Sequence, residues 1–193
     1  LGLFGARILF KRSWEDSVAI GFCCLFSNTV LLGLPITERA YGTEALTANF
    51  AIIAVHAPIG YMLGITVMEL VRGRSLNGIE MLLKILNSVF KNSLVVALSL
   101  GFAINLSGFI LPEIVTDGVD LLSQSALPAA LFGLGGVLVR YRPEGDIRVI
   151  LYICAISLLV HPALVWITGS YVNLSTSDFR SAVLTAAMAP GVN

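Results

Sequence analysis

Two short stretches place polar and helix-breaking residues inside apolar runs. The first is Ser27-Asn28-Thr29-Val30-Leu31-Leu32-Gly33-Leu34-Pro35-Ile36. The second is Met188-Ala189-Pro190-Gly191-Val192-Asn193. A side-chain amide in hydrocarbon is costly unless it has partners. Proline and glycine weaken regular helix around them. A helix broken there leaves backbone N–H groups unpaired at the start of its second half. Those groups, with the positive end of the half-helix dipole, favour an anion. Two such breaks crossing near the membrane midplane can hold a carboxylate without a buried Lys or Arg.

In that reading Asn28 bonds the carboxylate, with Ser27 and Thr29 beside it. Gly33 and Pro35 keep the first helix broken, and Pro190 breaks the second. Gly191, Val192 and Asn193 supply N–H groups and an amide from the other side. Ser125 is a further site-lining hydroxyl. The competing reading is that Asn28 and Asn193 hydrogen-bond between packed helices. Aligning Ser27 with Pro190 also brings Asn28 onto Gly191, Ala19 onto Ala182 and Glu15 onto Asp178. Two such segments of opposite direction point to an inverted repeat.

The elements that must carry these residues follow from composition. The chain has 193 residues, 56% of them apolar and 12% charged. Soluble domains carry about 25% charged residues, so a soluble fold could not wet its outer faces here. The 12 basic residues balance 12 acidic ones, which argues against nucleic-acid binding. An all-α polytopic membrane protein remains. Charge-free stretches predict spans at 17–37, 45–68, 92–112, 121–139 and 149–177. Leu1–Phe10 reads as the tail of an earlier span and Ser181–Asn193 as the first half of a later one. The chain therefore reads as a piece of a longer protein.

Alternate connections divide the cations unequally. One side receives Arg7, Lys11, Arg12, Arg72, Arg74, Lys84, Lys91, Arg140, Arg142 and Arg148; the other receives Arg39 and Arg180. The positive-inside rule puts the rich side, with the Arg72–Phe90 connection, in the cytoplasm. Within that connection Ile79–Leu86 is amphipathic and is expected at the interface. Glu113, Asp117 and Asp120 then face outward.

Other chemistry finds little footing. His56 and His161 lack a second metal ligand at helical spacing, and no HExxH pattern occurs. Cys23, Cys24 and Cys154 read as small apolar side chains, not a disulfide framework. A serine nucleophile would need a paired base, and none is visible locally. A channel would want rings of charge or carbonyls repeated by symmetry. No enzyme and no resident cofactor is expected. The spans contain no carboxylate to couple transport to an ion. His56 and His161 are the titratable candidates for proton coupling, and the coupling ion, proton or sodium, stays open.

The same residues resemble the auxin efflux carrier family, which includes PIN-type auxin carriers and bacterial carriers of malonate or malate. Ser27-Asn28-Thr29 through Gly33-Leu34-Pro35-Ile36 resembles the family's fourth-helix crossover. Leu127-Pro128-Ala129-Ala130-Leu131-Phe132-Gly133-Leu134-Gly135-Gly136 resembles its seventh helix, and Ala187-Met188-Ala189-Pro190 the start of its ninth. Lys91-Asn92-Ser93 departs from the Asn-Pro usual in bacterial members. The resemblance implies two inverted five-helix repeats, similar to the bile-acid transporter fold, with helices 1, 2 and 10 outside this chain. It implies transport-domain parts at 1–72 and 146–193, a link at 73–90 and a scaffold part at 84–141. It further implies elevator-like transport of a small organic anion (a mono- or dicarboxylate such as malonate or malate, or an auxin-like acid). An anion channel or another symporter of the bile-acid-transporter type is the alternative. A homodimer through the scaffold helices and a place in the bacterial plasma membrane are implied likewise.

Overall fold

Several small polar side chains of this protein lie inside and many large apolar ones outside. In the computed structural model the largest fully buried side chains are Asn49, Thr37, Ser17, Ser27, Ser157 and Ser181. Phe50, Val55, Leu159, Trp166 and Tyr171 are exposed. That polarity inverts what water imposes and suits a lipid surround, where small and polar residues join helices. The structure describes residues 1–72, 78–91, 93–140 and 145–191.

The described residues are helical apart from short connections and one isolated bridge. The helices are α1 (Gly2–Leu9), α2 (Trp14–Leu25), α3 (Leu34–Tyr41), α4 (Leu46–Val71), α5 (Gly78–Lys91), α6 (Ser93–Ser107), α7 (Glu113–Arg140), α8 (Ile147–Ala155), α9 (His161–Val172) and α10 (Thr176–Ala186). Among the described residues two runs, Thr43–Val71 and Ile147–Val172, are long and apolar enough to cross a membrane. The expected span at 149–177 ends earlier. Asn173 turns left-handed (φ 54°) and Ser175 caps the next helix.

The chain divides into two compact units, Leu1–Val96 with Asp146–Asn193, and Ala97–Gly145. In the second unit α7 begins at Glu113 instead of near Leu121, with Glu113 in its first turn and Pro128 inside. A carboxylate complements the helix dipole there.

In the first unit α4 supports α2 through two glycines. A Cβ on Gly60 would lie 2.8 Å from the Phe26 ring, and one on Gly64 2.6 Å from the Phe22 ring. Only hydrogen at these positions lets the two rings settle onto α4. Phe22 and Phe26 stack with centroids 5.0 Å apart, and Tyr61 packs 5.1 Å from Phe26. Charges gather beyond the apolar runs. Arg12 pairs with Asp146 at 3.2 Å, Arg72 with Glu15 at 3.2 Å, and Arg7 lies over the Trp14 ring. Elsewhere Arg180 lies over Tyr41.

Candidate functional site

The first polar stretch interrupts a helix, and the second ends one. Leu25 ends α2, and Phe26 is extended. Ala186 ends α10, and Ala187 closes its last turn. The two exposed backbone ends then pair with each other. Ser27 faces Pro190 in an antiparallel bridge. The Asn28 N–H donates to the Ala189 carbonyl at 2.9 Å, and the Gly191 N–H donates to Phe26 O at 2.8 Å. Ser27 and Pro190 thus oppose each other between these bonds, where their own N–H positions point away from the partner. Proline, which has no N–H, fits that position without loss.

The same helical signature precedes each break. Ser13 caps α2 by accepting from the Asp16 N–H at 3.0 Å, and Ser175 caps α10 by accepting from the Asp178 N–H at 3.1 Å. Ser is a favoured cap, and an acid in the first turn complements the dipole.

Past the first break, helix resumes at once. Asn28 is the cap, and its Oδ1 accepts from the Leu31 N–H at 3.1 Å. The run begins as a π turn, Thr29–Gly33, with Gly33 N–H donating to Asn28 O and Leu34 N–H to Thr29 O. Pro35 follows two residues after that turn. Its ring crowds the carbonyl four residues back and its missing N–H removes a bond, so the helix widens ahead of it. Gly33 and Pro35 therefore lie within the resumed helix, and the break itself lies upstream at Phe26–Asn28. An identical device occurs at Ile156–Val160, a π turn two residues ahead of Pro162, with the His161 N–H donating to Ile156 O. Single π turns of this kind are frequent at functional sites.

Several donors at the crossing have no acceptor among the described residues, Asn28 Nδ2 and the Val30 N–H among them. The Asn28 side chain is engaged through Oδ1 only, which leaves Nδ2 free. The Val30 N–H has no acceptor. Both sit at the start of a helical run from Thr29 to Tyr41, where the dipole is positive. Asn28 is largely buried, while its unpaired Nδ2 is not fully enclosed and stays open to a ligand.

Two imidazoles flank the break. Ser27 Oγ lies 3.4 Å from His161 Nδ1. His56, on α4, stacks on Phe26 at 5.0 Å between centroids, and its buried Nε2 has no partner among the described residues. His161 also lines an apolar cavity of about 450 Å³ with Val18, Phe22, Leu63 and Val160.

The structure thus brings Ser27, Asn28, Thr29, Gly33, Pro190, Gly191, His56 and His161 together. Pro35 stands further along the resumed helix. Val192 and Asn193 lie outside the described residues. Ser125 belongs to the second unit. It sits well inside α7, and its hydroxyl donates to Leu122 O at 3.0 Å. Sequence reasoning missed Asn49, Thr37 and Thr185, which are buried beside the resumed helix. An amide inside the apolar run of α4 was the available signal.

Among known proteins, the family model described as Membrane transport protein matches residues 1–193. No curated protein and no solved structure matches the chain.

Proposed function

The chain belongs to the membrane transport protein family, the auxin efflux carriers, and from that premise we propose that it is a secondary transporter of a small organic anion. The observation that carries this reading is that two donors on the resumed segment, Asn28 Nδ2 and the Val30 N–H, have no acceptor among the described residues. A carboxylate accepts hydrogen bonds and donates none, so it complements both. No cation need be buried beside it. Gly191 lets the second segment pack closely on the first, since a Cβ there would lie 3.0 Å from the Phe26 ring. Val192 and Asn193 would continue that side of the site.

The transported class is a mono- or dicarboxylate. Movement is by alternating access in which residues 1–72 and 146–193 travel against a scaffold that includes 84–141. The antiparallel pairing of the breaks and the matching Ser caps of α2 and α10 support an inverted repeat. The Arg72–Phe90 link lies in the cytoplasm. A second reading concerns coupling. The Ser27–His161 contact and the unpartnered Nε2 of His56 favour a proton as the coupling ion.

Counterflow in proteoliposomes tests the function. The panel is labelled malonate, malate, a monocarboxylate and indole-3-acetate. Saturable exchange of one member is expected. Asn28→Ala removes a hydrogen bond to a charged group, about 1.5–3 kcal/mol, so half-saturation should rise roughly ten- to a hundredfold. Exchange that is absent across the panel, or unchanged in a folded Asn28→Ala protein, contradicts the anion site.

A further inference from the structure

A polar seam runs behind the crossing, and the anion site does not use it. Asn49 on α4 is fully buried. Its Nδ2 donates to Thr37 Oγ1 on α3 at 2.9 Å and to Thr185 Oγ1 on α10 at 3.4 Å. One turn earlier, the Ala45 carbonyl accepts from Ser181 Oγ on α10 at 3.4 Å. Both helices advance by one turn between the two layers, so α4 and α10 run in the same direction here. Thr37, Ser181 and Thr185 are all buried. The seam reaches the resumed helix itself. A Cβ on Gly33 would lie 4.0 Å from Asn49 Nδ2 and 3.7 Å from the Asn28 carbonyl.

The amide is a poor choice for stability alone. Asn49 Oδ1 is buried and has no partner among the described residues, and an unmet acceptor costs stability. A leucine of similar shape would carry no such cost. Thr37 and Thr185 would then turn their hydroxyls to carbonyls one turn back on their own helices. What leucine cannot do is join α3 to α10 through one rigid planar group.

We propose that Asn49 is a positioning residue for the crossing. It fixes the helix resumed at Thr29 against α10, and so holds Asn28 and Gly191 in the register at which the two breaks pair. Its consequence for transport rests on the anion-site reading, while its geometry does not.

The test is Asn49→Leu in the intact membrane protein, with two independent readouts. The first is disulfide formation between Ser27→Cys and Pro190→Cys, in a background with Cys23, Cys24 and Cys154 changed to alanine. Opposed residues of such an antiparallel pair have Cα atoms about 4.5 Å apart, within disulfide reach. Asn49→Leu should slow this cross-link at least about fivefold while the unfolding midpoint holds or rises. The second readout is counterflow of malonate, or of whichever panel anion the parent exchanges. Its half-saturation should rise about tenfold, since small misplacements of positioned groups are costly.

A cross-link as fast as in the parent overturns the proposal, whether or not any anion is carried. A midpoint that falls in step with the cross-link also overturns it, because the residue is then merely structural. A slowed cross-link with no anion exchanged by the parent upholds Asn49 and rejects the anion reading instead. If Asn49→Leu does not fold, Thr185→Val replaces it. That variant removes one acceptor at constant shape, and an unchanged cross-link rate there is equally fatal.

Discussion

In the proposed site the two ends of the Asn28 side chain have different partners. Oδ1 caps the resumed helix through the Leu31 N–H, and Nδ2 is left to donate. Asn28, Ser27 and Pro190 were legible in the sequence because polar and breaking residues crowd together there. Asn49 gave a weaker signal, a single amide in an apolar run with no breaking residue beside it, and it was missed. Thr37 and Thr185 carry no signal, since a helical threonine ordinarily satisfies itself on its own backbone. Phe26 was passed over as one more apolar residue. It is buried between Phe22, His56 and Tyr61 and lies beside Gly60 and Gly191. Phe26→Ala should therefore cost about 3–5 kcal/mol of stability, read as a lowered unfolding midpoint in detergent. A loss no greater than that of an exposed-site variant such as Phe50→Ala would refute this packing.

At the scale of elements, a break in the first segment was foreseeable and its place was not. Pro35 and Gly33 attract attention as breakers, yet a proline is tolerated in the first turns of a helix. The chain breaks before them, where Phe26 and Ser27 give up helical bonds to pair with the second segment. That pairing joins residues far apart in sequence, and no local pattern announces it. The π turns are local and have a local cause, a proline two residues on. Pro35→Ala restores the missing donor, so the turn should revert towards ordinary helical bonding and shift Thr29–Gly33. The expected result is a counterflow rate several-fold lower with an unfolding midpoint no lower than the parent's. Unchanged transport would show that the widened turn has no part in it. Gly60→Ala belongs to the same scale. Its Cβ would meet the Phe26 ring at 2.8 Å, and overpacking of this kind costs about 1–3 kcal/mol, measurable as a lower midpoint. A midpoint equal to the parent's would show that the ring can yield.

For the molecule as a whole, composition already implied lipid, and the buried hydroxyls with exposed large apolar side chains agree with it. The charge count predicts that the first broken segment runs outward while α4 and α10 run inward. The relative directions in the structure fit that scheme, with antiparallel breaks and a parallel α4–α10 seam. Sidedness itself is open to labelling. A cysteine at Asp117 should react with an impermeant reagent from outside the cell, and one at Arg12 only after permeabilisation. The reverse pattern would invert the topology.

The most direct measurement is equilibrium binding of the transported anion to the parent, Asn28→Ala and Asn28→Asp proteins. Aspartate keeps the helix cap, because its carboxylate accepts from the Leu31 N–H as the amide does. It removes the donor and sets a negative charge against the ligand. Binding should therefore weaken in Asn28→Ala and weaken further in Asn28→Asp, with the unfolding midpoint of Asn28→Asp close to the parent's. Anion affinity in Asn28→Asp equal to the parent's would contradict a carboxylate held at this crossing.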